Sequence, residues 1–95
     1  MTKRAAGVVL KDEKQRDEIL KRVKRAEGQI AGVIRMLEEG RSCEDVVHQM
    51  AAVGKAMNTA AVTLIAASLQ ECLLDKKTNS VEQRERLQKL FLSLA

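Results

Sequence analysis

Tryptophan, tyrosine and proline are absent from these 95 residues, and Phe91 is the single phenylalanine. A core built almost wholly from Ala, Val, Leu, Ile and Met lacks the large aromatic burial that anchors many domains. A chain this small sits near the limit at which a lone core is stable, so oligomerisation is the natural source of further buried area. The missing proline, with abundant Ala, Leu, Glu, Gln, Lys and Arg, favours helix throughout. No continuous apolar run approaches the roughly 20 residues needed to span a membrane. The basic start, Met1-Thr2-Lys3-Arg4, is not followed by an apolar stretch adequate for a secretory signal. A cytoplasmic protein without a membrane partner is therefore expected. No acid–base constellation, phosphate loop or catalytic triad is visible, which argues against an enzyme.

Cysteine is scarce but informative. Only Cys43 and Cys72 are present, and in a reducing cytosol such thiols are more often ligands or redox-active groups than structural staples. They lie on what reads as one unbroken helix, 29 positions apart. At 1.5 Å per residue that separation is roughly 43 Å, so the two thiols cannot meet within a chain. Yet 29 steps of about 100° return to within roughly 20° of the starting azimuth, so both thiols share a face. Pairing that face with an antiparallel copy sets Cys43 of one chain beside Cys72 of the other, with a two-fold axis between Met57 and Asn58. The spacing predicts a symmetric dimer with two identical thiol pairs. The bland alternative is that both cysteines are small buried hydrophobes.

The pattern along the chain gives an all-α domain over residues 12–95, preceded by a flexible arm over 1–11. Three helices are expected, at about 12–39, 43–74 and 80–94. In the first, Ile19, Leu20, Val23, Ala26, Ile30, Val33, Ile34 and Leu37 recur at helical spacing, and Gly40 is placed to end it. Gly28 and Gly32 have the spacing of a close helix contact. Ser42 and Asp45 read as a capping box for the second helix, as do Ser80 and Gln83 for the third. The centre of the second helix, residues 50–62, is dominated by small side chains that let a partner helix approach. Its length exceeds what the rest of a 95-residue chain can cover.

The net charge of +4 is unevenly spread. Lys3, Arg4, Lys11, Lys14, Arg16, Lys21, Arg22, Lys24 and Arg25 face only Asp12, Glu13, Asp17 and Glu18 in the first 25 residues, a local excess above that of the whole chain. Nucleic acid is the leading partner for such a surface, with a solvated helix face as the alternative.

Three ordered blocks carry a family resemblance. Arg22-Val23-Lys24-Arg25-Ala26-Glu27-Gly28-Gln29-Ile30, Gly32-Val33-Ile34-Arg35-Met36-Leu37-Glu38, and Cys43-Glu44-Asp45-Val46 with Gln49-Met50-Ala51-Ala52-Val53 resemble the copper-sensing-repressor-type (CsoR/RcnR/FrmR) transcriptional regulators of bacteria. The resemblance covers roughly residues 12–92. It implies three helices per chain, with antiparallel dimers assembling into a disc-shaped homotetramer. It also implies a repressor that binds operator DNA without a helix-turn-helix and releases it when an inducer reaches the cysteine site.

Copper-sensing members carry a Cys-His-Cys triad whose middle ligand lies four residues before the last cysteine. Here Cys43 and Cys72 match the outer ligands, and the middle position is Ser68. A hydroxyl is a poor ligand for soft Cu(I). The only histidine, His48, is about 140° around the helix from Cys43 and reads as a surface or interface residue. Nickel- and cobalt-sensing members need more histidines, and formaldehyde sensors typically need an N-terminal proline where this chain has Thr2.

Two outer cysteines with no histidine between them resemble the persulfide-sensing, CstR-like branch. That reading expects no cofactor. A persulfide or polysulfide modifies one thiolate, and a di- to tetrasulfide bridge between Cys43 and Cys72 of two subunits then releases the DNA. Cys43, in the first turn of a helix and near Arg41, is the expected nucleophile, with Cys72 as resolving thiol. The resemblance places operator contacts on the basic face of helix 1, with Arg22 the best match. Lys14, Arg16, Lys21 and Arg25 are additional candidates, and Lys55 on helix 2 extends the patch. Two readings compete: a Cu(I)-responsive repressor that uses the same two thiolates, and a helical thiol or metal carrier that does not bind DNA.

Overall fold

A computed structural model describes residues 8–77 and 79–94 of the chain. Residues 1–7, which make up most of the expected arm, lie outside the described residues, as do Thr78 and Ala95. The architecture is all-α. Helix α1 spans Glu13–Glu38, α2 spans Cys43–Leu74 and α3 spans Val81–Ser93, and no strand is present among the described residues.

Short polar side chains set the helix starts. The N-caps Asp12, Ser42 and Ser80 each accept a hydrogen bond from the backbone N–H three residues on, at 3.1 Å in every case. The reciprocal half of the box at Ser42 is not made, because the Asp45 carboxylate turns to Arg41 at 3.4 Å. At the other end of α1, Gly40 adopts a φ of 69°, a left-handed conformation that side chains with a Cβ disfavour. The turn lets the Arg41 N–H reach the Met36 carbonyl at 2.9 Å. It reverses the chain, and α2 runs back along α1.

The apolar centre is small. Leu10, Ile19 and Ala67 form one buried cluster, joining the segment before α1, the start of α1 and the far end of α2. Ala26, Val46, Ala60 and Leu87 are buried elsewhere along the helices. Leu20, Ile30, Ile34, Leu37, Met50, Met57 and Leu64 are exposed. The accessible surface is 7702 Å², whereas a compact monomer of this mass exposes about 5,400 Å². The radius of gyration is 17.0 Å, against about 12 Å for a compact domain of this length. Such a protomer leaves apolar surface for something else to cover. The close helix contact expected at Gly28 and Gly32 does not form within the protomer: a Cβ at Gly28 meets nothing within 4 Å, and at Gly32 only the tip of Arg35 at 3.9 Å.

Helix α2 is long as well as rich in apolar residues. By length and composition it could cross a membrane, with a mean hydropathy of 1.3 in its qualifying 18-residue window. No unbroken apolar run produces that value. Alanines and scattered larger aliphatics do, with polar residues such as Lys55 and Asn58 between them. Only 11% of that window is buried in the protomer.

Candidate functional site

Both thiols belong to α2, which is continuous from Cys43 to Leu74. Its regular geometry keeps them about 43 Å apart and on nearly one azimuth. Neither can complete a site with the other inside one protomer. Among the described residues, no group of three or more His, Cys, Asp or Glu side chains could hold a metal ion.

The two thiols differ in setting. Cys43 is exposed in the first turn of α2, directly after the Ser42 cap. Cys72 is 0% exposed. Ser68 lies one helical turn before Cys72 and is itself buried, at 5% exposure. Arg41, expected to add positive potential at Cys43, is engaged by Asp45. His48 is exposed on α2.

Beside buried Cys72 runs the segment that precedes α1, the described part of the expected arm. Glu71, its neighbour on α2, accepts two backbone hydrogen bonds. The Lys11 N–H reaches Oε1 at 2.8 Å and the Asp12 N–H reaches Oε2 at 2.6 Å. Val8, Val9 and Lys11 then line a cleft of about 340 Å³ with Glu71, Cys72, Leu74 and Asp75. Sequence reasoning missed Glu71. It is the only acidic residue between Asp45 and Asp75, in an otherwise apolar stretch of helix, and that isolation was the available signal. The Val8-Val9-Leu10 triplet was the matching signal in the preceding segment.

The basic residues sort into groups. Arg22 and Arg25 on α1 line a cleft of about 280 Å³ with Lys55, Ala52, Ala56 and Thr59 on α2. Arg22 also borders a second cleft with Lys14, Gln15, Glu18 and Gln70. Lys21 is exposed, with Glu18 at 3.9 Å, a pairing that in solvent contributes little. Arg16 is not brought together with these residues: it lies about 200° around α1 from Lys14. Gln15 and Gln29 each hold a buried Oε1 with no hydrogen-bond partner among the described residues. Both lie on α1 close to the azimuth of Arg22.

Comparison with known proteins places these features in a family. The profile of the metal-sensitive transcriptional repressors matches residues 15–93. The chain is 41% identical over 59 residues to the copper-sensing transcriptional repressor RicR of Mycobacterium tuberculosis, covering 62% of this chain and 62% of that protein. It is 38% identical over 65 residues to the copper-sensing transcriptional repressor CsoR of Bacillus subtilis, covering 68% of this chain and 64% of that protein. The match thus spans a little under two thirds of the length of these curated relatives. No solved structure matches the chain.

These matches correct the expectation that the sensor works without a cofactor, because the family is metal-sensitive and both relatives are named for copper. Nothing in them favours the CstR-like branch. Members of the family are regulators and not enzymes. The three helices, the two outer cysteines and the profile match over most of the chain together show that this protein belongs to the metal-sensitive transcriptional repressor family.

Proposed function

We propose that this protein is a Cu(I)-responsive repressor of transcription, working in the bacterial cytoplasm as an assembly of antiparallel α2 pairs. In this reading it holds operator DNA when metal-free and releases it when Cu(I) is held between Cys43 of one protomer and Cys72 of another. One observation carries the proposal: α2 presents two thiols on one face but about 43 Å apart, so any site that uses both needs two chains. The copper-sensing names of the two relatives supply the metal.

The donor set fits. Two thiolates are soft ligands of the kind that Cu(I) selects, and each loses its proton on binding. When bound there, Cu(I) would supply a cross-link between the α2 helices of two protomers. Ser68 adds no soft donor, so the ligand set is the thiol pair.

Operator binding is assigned to Arg22, Arg25 and Lys55, which meet at the α1–α2 cleft, with Lys14 and Lys21 close by on α1. Such residues position a protein on phosphates, and sequence preference then comes largely from DNA shape. The two functions are joined by reciprocal linkage: if the bridge weakens DNA binding, DNA weakens bridge formation by the same factor. Arg22→Ala is expected to weaken operator binding at fixed salt while the assembly stays intact in sedimentation. Unchanged affinity would remove Arg22 from the interface.

One observation favours a second reading. The buried Ser68 stands where copper-sensing members of the family resembled carry an imidazole. In that reading a persulfide or polysulfide donates sulfur to one thiolate. The other thiolate then attacks it, closing an intersubunit bridge and releasing hydrosulfide. The deciding experiment exposes the protein anaerobically to Cu(I) and, separately, to a persulfide. Intact mass under denaturing, non-reducing conditions is followed beside operator binding. Release at stoichiometric Cu(I) with no covalent adduct supports the copper reading. A covalent dimer and release only after persulfide would overturn it.

A further inference from the structure

Buried Cys72 shares a cleft with a segment that belongs to no helix, and one side chain holds that segment down. Residues 8–12 run across the end of α2 before α1 begins. Leu10 is buried with Ile19 and Ala67, which seats the middle of the segment. The Glu71 carboxylate takes the N–H groups of Lys11 and Asp12 at 2.8 and 2.6 Å. Both donors lie at the start of α1, where backbone N–H groups have no partner within the helix and the helix dipole favours negative charge. Asp12 supplies the local cap through its own side chain. Glu71 supplies a second from 60 residues away. Hydrogen bonds of backbone donors to an ionised acceptor are the strong kind.

We propose that residues 8–12 are a strap gating Cys72, with Glu71 as its latch and Leu10 as its seat. Reagents, metals or a second thiol reach Cys72 only when the latch opens, so reactivity at this position follows the open population of the strap. Cys43, exposed at the other end of the same helix, has no such gate. The gate acts ahead of any chemistry at Cys72, whether metal binding or sulfur transfer. It also orders the events: the exposed thiol is met first, and the buried one joins after the strap lifts. Local opening of this kind has its own free energy, separate from global unfolding.

The test uses the full-length protein and a short pulse of N-ethylmaleimide, with modification at Cys43 and Cys72 read separately by peptide mass spectrometry. In the unaltered protein Cys43 is expected to react at least about tenfold faster than Cys72. Glu71→Ala removes both acceptors and is expected to raise the Cys72 rate about tenfold or more, since each lost bond to a charged acceptor shifts an equilibrium by about that factor. Glu71→Gln keeps one neutral acceptor and should fall between the two. Leu10→Ala, which leaves Glu71 intact, should raise the Cys72 rate by unseating the strap. Throughout the series the Cys43 rate stays within about twofold. An unchanged Cys72 rate in Glu71→Ala and Leu10→Ala overturns the gate, and so does a parallel rise at Cys43. Amide hydrogen exchange in the unaltered protein is independent of whether the variants fold. Slow exchange at Lys11 and Asp12, at the opening rate seen from Cys72, supports the gate. Unprotected exchange at those amides overturns it.

Discussion

At its N-terminal end α2 is closed by devices drawn from its immediate neighbours. Ser42 caps it, Gly40 turns the chain into it, and Arg41 pairs with Asp45 across one helical turn. At its C-terminal end the closure is long-range. Glu71 bonds the backbone of Lys11 and Asp12, Leu10 packs on Ala67, and Cys72 lies buried beside them. Local closure leaves Cys43 in solvent, whereas long-range closure shields Cys72. Two chemically identical groups on one helix face thus differ because one end of the helix is finished by short polar side chains and the other by another part of the fold.

The largest effect expected from this contrast is on signalling. Cys43→Ser and Cys72→Ser should each abolish release of operator DNA by Cu(I), where the unaltered protein loses affinity by about 5- to 150-fold, the usual range for coupled sites. Mixing the two variants restores one complete thiol pair in each mixed dimer, so part of the response should return in an operator titration. No recovery on mixing would remove the intersubunit pair. A smaller effect is expected at the turn into α2. Gly40→Ala forces a Cβ into a left-handed conformation and should cost about 1–2 kcal/mol in denaturant unfolding. Ser42→Ala, which loses the cap, should cost about 1 kcal/mol. Smallest of all, Arg41→Ala breaks a half-exposed ion pair and should change stability by less than about 0.5 kcal/mol. If Arg41→Ala moved stability further than Ser42→Ala did, the account of the Cys43 end would have to change.

The same contrast explains what the sequence made legible. Ser42, Ser80 and Gly40 announced the helix ends because caps and left-handed turns act over three or four residues, and the helical spacing of Ile19, Val23, Ala26 and Ile30 marked α1 in the same way. The phase of Cys43 and Cys72 could be computed because a continuous helix carries angle along its length without loss. Burial of Cys72 could not be computed so. It depends on Glu71 meeting residues about 60 positions earlier, and no local pattern encodes that distance. Val8, Val9 and Leu10 show no helical period, so the sequence places them in a flexible arm, and their apolar character alone does not say what they meet. The metal was the other failure. Weighing Ser68 above the two matching thiols led to a cofactor-free sensor, whereas the family as a whole is metal-sensitive.

The unbroken course of α2 also restricts how this chain can change length. In a two-fold antiparallel pair, residues added at the centre of both helices leave the two ends opposite one another. Each added residue nonetheless turns one end by about 100° relative to the other. An insertion of one or two residues would swing the thiols onto different sides of the pair, whereas seven residues bring them back to within about 20°. On the proposed pairing of Cys43 with Cys72 of a second protomer, the middle of α2 can change length in heptad steps while single-residue indels disable the site, so the helix works as a vernier whose permitted settings are set by its own winding.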